Sequence, residues 1–371
     1  MLYYFDYNFG QYLEDVMFNY FIPSTHSMHS SSIRDVYSYY IFRDQQTYNL
    51  NTWAFLKRSE IQMENTHVNT DDKKLVEINE SVYLLKYEVK NAGHTLVNIL
   101  YQINNYFLSN LKIKIMVPIE LLKMSSFIES IIYLFFNKED LIIINSQSLY
   151  KIKKMHHVLW VGYTYPNIDS GSCNLKIRDI QLEDNIYCIN YVNEELLYNK
   201  EAIEQFLCNK IKLHIDEIRF VQPIKNKKIC LIKNADDIIN SNYHIDIDYS
   251  LKRAFNGSYV NFFKENEFDI LNASNYTVLD LWYLLNNCEL LVLSWGCIAY
   301  INKLIINNPN VKTLIISHLT YTHEFKFSDI CHQSPSCKNV KLIYNLKSEL
   351  DESSKLLIKS ELDLLEKIVV D

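Results

Sequence analysis

The stretch Thr277 to Asn308, T-V-L-D-L-W-Y-L-L-N-N-C-E-L-L-V-L-S-W-G-C-I-A-Y-I-N-K-L-I-I-N-N, constrains the fold more than any other part of the chain. An amphipathic segment, Val278 to Leu285, is followed by an apolar run without alternation, Leu290 to Leu293. A single turn glycine, Gly296, then leads into a second apolar segment. Short continuous apolar runs fit strands covered on both faces, so the stretch predicts a helix, a buried strand and a helix. A glycine at the carboxyl end of such a strand permits close approach by a helix or a ligand, and in open α/β sheets that edge is the usual binding crevice. Ser294, Trp295, Gly296 and Cys297 therefore form the first candidate ligand wall. The plainer reading of Gly296 is a tight turn and nothing more.

The rest of the chain repeats the same grammar. Val82 to Tyr87 reads as a strand and His94 to Leu108 as a helix with Leu96, Ile99, Leu100, Ile103 and Phe107 on one stripe. Lys112 to Val117, Leu141 to Ile144 and Val158 to Val161 read as strands, the last near a surface with His156 and His157. Ser125 to Phe136 reads as a helix with Ser125 or Ser126 as its cap. Ile229 to Lys233, Phe268 to Leu271, Val311 to Ser317 and Val340 to Tyr344 continue the strands beyond a lysine-rich linker, Asp216 to Lys228. Asn193 to Leu207 and Ser250 to Phe255 are further helices, and Tyr259 to Phe263 is a helix or a distorted strand. Strands alternating with helices at this spacing predict an α/β class. The expected domains are an irregular N-terminal extension over 1–75, a first Rossmann-like domain over 76–220, a second over 221–347, and an amphipathic helix over 348–371 with a mixed-charge, solvated face.

Composition narrows the function classes. The chain has 371 residues, 48% hydrophobic, with a formal charge of -7. That length supports more than one core, and the acidic balance disfavours long-range attraction to nucleic acid. Eight cysteines are scattered without paired spacing and read as buried thiols of a reducing compartment. The N-terminus shows no signal peptide pattern and no run reaches the length of a membrane span. A cytoplasmic protein is expected, soluble or peripheral to membranes. The Asn-, Ile-, Lys- and Tyr-rich composition matches an AT-rich genome, such as that of a large DNA virus, for which a viral factory is the corresponding location.

Several residues can carry chemistry. His94 follows N-A-G at the start of a helix, where free N–H donors and a partial positive field suit an anion or a developing alkoxide. Its plainer reading is a histidine bonded to nearby backbone. Lys233 and Asn234 close the first strand of the second half, where a lysine can meet a phosphate as a point charge or simply sit in solvent. His318, His323, Cys331, His332 and Cys337 cluster in sequence, but their spacing matches no closed zinc pattern, so no metal site is assigned. G-x-S-x-G, the Walker lysine loop, G-x-G-x-x-G, H-E-x-x-H and C-x-x-C are all absent from the sequence.

The order of these blocks resembles glycosyltransferase family 61, the group described through the DUF563 domain. The family opens with N-Y-x-H-W-L-x-D/E-x-L, and this chain has N-A-G-H-T-L-V-N-I-L from Asn91 to Leu100. I-K-I-M-V-P, Ser125 to Phe136 and D-L-I-I-I follow in the same order. K-K-I-C-L-I-K-N-A-D-D-I-I-N stands where the family has a strand and arginine-rich features, and C-E-L-L-V-L-S-W-G-C-I-A-Y-I-N resembles its H-G-A-x-L-x-N block. The resemblance spans roughly residues 80 to 350. It implies a GT-B arrangement, two facing Rossmann-like domains with a cleft between them. It further implies an inverting glycosyltransferase that moves a sugar from a nucleotide sugar, a UDP-sugar first, to a glycan or glycoprotein, without metal or other cofactor. His94 takes the place of an acceptor-side base with Glu120 or Glu88 as helper, and Lys233, Asn234, Ser294, Trp295, Gly296 and Cys297 face the donor. Three positions depart from the pattern: Asn98 replaces an acid, Lys233 or Asn234 an arginine, and Trp295 a histidine. These replacements sustain the alternative of a catalytically inactive relative with a structural or partner-binding role. A homo-oligomer is compatible with either reading.

Overall fold

The computed structural model describes residues 4–6, 10–21, 38–43, 46–49, 72–86, 110–157, 200–217, 227–232, 257–294, 305–316, 339–343 and 349–368, together with single residues between 96 and 107, at 255 and at 346. The chain is an α/β protein of two units, one comprising residues 1–124 and 135–203, the other 125–134 and 204–371. Each has its own sheet.

The first sheet holds eight strands: β1 (Tyr4–Asp6), β2 (Gly10–Phe21), β3 (Ser38–Arg43), β4 (Gln46–Asn49), β5 (Lys74–Leu84), β6 (Lys114–Pro118), β7 (Leu141–Ile144) and β8 (Ser148–His157). Their order is β4-β3-β2-β8-β5-β6-β7, with β1 paired to β2. The strands β8, β5, β6 and β7 are parallel, whereas β2 joins β8 antiparallel. The sequence reading leaves residues 1–75 irregular apart from a candidate strand, Tyr37 to Phe42, which is β3; β1, β2 and β4 lie there as well. In β2 the buried residues Phe18, Asn19 and Tyr20 are consecutive, so no alternation marks the strand in sequence. The histidine pair also differs from expectation. His156 and His157 end β8, and His157 is buried instead of lying on a surface. The proposed strand over 158–161 and the start of the helix expected at Asn193 lie outside the described residues; the described helix there is Lys200–Leu213.

Local chemistry explains how helical residues meet this sheet. Leu96, Ile99, Leu100 and Ile103 are helical and buried as the stripe predicts, while Phe107 at the end of the stripe is 44% exposed and stacks on Phe136 with ring centroids 5.7 Å apart. Gln102, fully buried, accepts from the Lys86 N–H at 2.7 Å and donates to the Lys86 carbonyl at 3.0 Å. Tyr83 Oη donates to the Gln102 carbonyl at 2.8 Å. One amide side chain thus satisfies both backbone groups of a residue just beyond β5 and locks the helix to the carboxyl end of that strand.

The second sheet contains β9 (Lys228–Ile232), β10 (Asp269–Asn272), β11 (Leu290–Ser294), β12 (Lys312–Ile316) and β13 (Val340–Ile343) in the order β10-β9-β11-β12-β13, all parallel. Every residue of β11 is buried, as the apolar run predicts. Alternate residues line the two faces. Leu290, Val292, Leu314 and Ile316 join a core with Tyr259, Phe263, Ile358, Leu362 and Leu365. Leu291 and Leu293 point the other way and are equally buried.

The described helices are α1 (Ile119–Leu122), α2 (Ser126–Phe135), α3 (Lys200–Leu213), α4 (Gly257–Glu265), α5 (Val278–Asn286) and α6 (Glu352–Glu366). Tyr259 to Phe263 is therefore helical, part of α4. Residues 125–134 group with the second unit, although they lie in the chain between two strands of the first sheet. Ser125 caps α2 by accepting from Ile128 N–H at 3.2 Å, and Ser130 Oγ accepts from Val278 N–H at 2.8 Å, joining α2 to the first residue of α5. Among the described residues no helix is long and apolar enough to cross a membrane.

Replacing Gln102 with methionine keeps the volume and removes the two hydrogen bonds that its amide makes to the buried backbone of Lys86. Each unmet group costs about 1–3 kcal/mol. A loss of roughly 2–4 kcal/mol in urea unfolding is expected, with an unchanged dependence on denaturant.

Candidate functional site

The second sheet has a topological switch point. From β9 the chain passes to β10 on one side, crosses back over β9 to β11, and continues outward through β12 and β13. The crevice between β9 and β11 at their carboxyl ends is where open α/β sheets bind ligands, because the crossing helices diverge there and leave backbone groups accessible. The strand ends on this edge are Asn272 of β10, Ile232 of β9 and Ser294 of β11, with Asn272 beside Ile232 and Leu293 beside Leu231. Lys233 and Asn234 follow Ile232 directly in the chain, and Trp295, Gly296 and Cys297 follow Ser294. These five residues lie outside the described ones, as do His94 and Glu88.

Ser294 is buried at the end of the central strand, a hydroxyl placed on an otherwise apolar ladder. Asn272 is turned inward on its own loop, accepting from Ser274 N–H at 3.2 Å and from the Ser274 hydroxyl at 2.7 Å. The amino end of α5, a natural anion site in principle, is closed. Thr277 Oγ1 accepts from Asp280 N–H at 3.1 Å, Asp280 Oδ2 accepts from Thr277 N–H at 3.3 Å, and Val278 N–H is taken by Ser130.

In the first unit Glu120 sits in α1, just beyond β6, half-buried. The hydroxyl of the fully buried Tyr20 lies 2.6 Å from Glu120 Oε2 and 3.0 Å from the Ile144 carbonyl. Neighbouring polar groups complete a buried node: Lys73 Nζ donates to Asn19 Oδ1 at 2.7 Å and to the Ser146 carbonyl at 3.0 Å, and the Asn19 amide donates to the Ser148 carbonyl. Burial lowers the Lys73 pKa. One oxygen of Glu120 is thus committed to holding the end of β2 against α1, while the Ile144 carbonyl holds it against the end of β7. Sequence reasoning picks out Glu120 and Ser294; it misses Tyr20, whose partner is 100 residues away, and the switch point, which depends on strand order.

Burial raises the thiol pKa of Cys230 and pushes that of Cys288 up to about 12, so neither is a thiolate near neutral pH. Among the described residues no group of three His, Cys, Asp or Glu side chains is arranged to hold a metal ion, and the His/Cys-rich loop with His318 and Cys337 lies outside them.

His156, beside Tyr83 at the carboxyl end of the parallel strands, is held neutral: burial, then the Lys154 charge, lowers its pKa from 6.5 to about 4. Its folded pKa is below the unfolded value, so the stability it confers is full above pH 6.5 and is lost as pH falls towards about 4. The urea midpoint should drop over that window in the native chain, and the drop should be shallower in His156→Gln.

The chain matches no family model and no curated protein. Among solved structures it is similar to the dodecameric iron-containing heptosyltransferase TibC in complex with ADP-D-beta-D-heptose, at 8% identity over 98% of this chain and 95% of that one, with a TM-score of 0.24.

Proposed function

We propose that this chain is a glycosyltransferase of GT-B type that takes its sugar from a nucleotide-sugar donor, with a UDP-sugar as the first candidate and a glycan or glycoprotein as acceptor. The observation that carries the reading is the switch point between β9 and β11, because Lys233, Asn234, Trp295, Gly296 and Cys297 all continue directly from its two strands. The block order that resembles glycosyltransferase family 61 supports the same assignment.

The chemistry follows from needs at the two ends of the transfer. An acceptor oxygen forms a bond to the anomeric carbon as the bond to the diphosphate breaks, with inversion. His94 takes the acceptor proton, and Glu120 assists with the oxygen that Tyr20 leaves available. Lys233 meets the charge that develops on the departing diphosphate, Ser294 and Asn234 supply hydrogen bonds, and Trp295 stacks on the nucleobase. The catalytically inactive alternative draws on Asn98 and Trp295 standing where the family has an acid and a histidine. Measured transfer of sugar separates the two.

Calorimetric titration with UDP-, GDP- and CMP-sugars should give saturable binding of one class. Saturable binding by none, with the fold intact by circular dichroism, sinks the proposal. Lys233→Ala should weaken that binding by roughly tenfold to a hundredfold, the value of a charge-assisted hydrogen bond. Where transfer is measured, His94→Ala should lower kcat by about 10²- to 10⁴-fold with little change in KM. Unchanged transfer removes His94 from the reaction.

A further inference from the structure

We draw no further inference here: the strongest candidate, the side-chain cluster of Asn19, Tyr20, Lys73 and Glu120 at the end of β2, belongs to the candidate site already described.

Discussion

The second unit depends on the burial of β11. All of Leu290 to Ser294 are withdrawn from water, so the backbone N–H and C=O groups of that strand must be satisfied inside the sheet. Parallel partners on both sides, β9 and β12, meet that demand. Parallel neighbours in turn require crossover connections, and crossovers cover both faces of the sheet. The unbroken apolar run Leu290, Leu291, Val292 and Leu293 is then explained, since neither face can be wet. The same constraint puts every strand's carboxyl end on one edge and creates the switch point.

Buried polar groups decide how elements meet where apolar contact alone is not specific. Asn286 at the end of α5 donates to the Trp282 and Ile305 carbonyls at 2.8 and 3.0 Å and accepts from the N–H groups of Asn307 and Asn308 at 2.8 and 2.9 Å. Its amide is used in full, which pins the segment after residue 305 to α5. Gln102 plays the same part beside β5, and Tyr20 with Glu120 beside β2. In each case a side chain supplies the partner that a chain turning out of regular structure no longer has. The cost of leaving such groups unmet in a low-dielectric interior gives these few contacts their weight.

The lysine-rich composition has a similar local logic. Lys228, Lys312 and Lys341 occupy the starts of parallel strands, and each reaches the carboxyl half of α6. A cation near the end of a helix is favourable against its dipole, although exposed pairs of this kind contribute little individually. Their effect is mainly on orientation. With the inner charges so engaged, Leu356, Leu357 and Leu364 are left exposed on the helix.

The strands over Leu141 to Ile144 and Leu290 to Ser294, the helix Val278 to Asn286 and the stripe Leu96 to Ile103 were legible in the residues alone. Burial is continuous over Leu290 to Ser294 and periodic in the helices, which local pattern reports directly, whereas the edge strand Leu141 to Ile144 is legible only as an apolar run and leaves Ile143 exposed. The strand β2 was not legible in that way, because it buries neighbours in succession, whereas β8 does carry a period-2 pattern, Tyr150 and Ile152 buried and Lys151 and Lys153 exposed, that the sequence reading above does not use. Ser294 was found because it ends an apolar run, whereas the Tyr20 hydroxyl on Glu120 joins residues 100 positions apart, which no local pattern encodes. The sequence by itself thus determined the α/β class and the strand that anchors the second unit, since those follow from where apolar residues recur. Strand order, the switch point, the closing of the α5 amino end and the outward leucines of α6 were decided only by tertiary structure, because each depends on which distant segments pair.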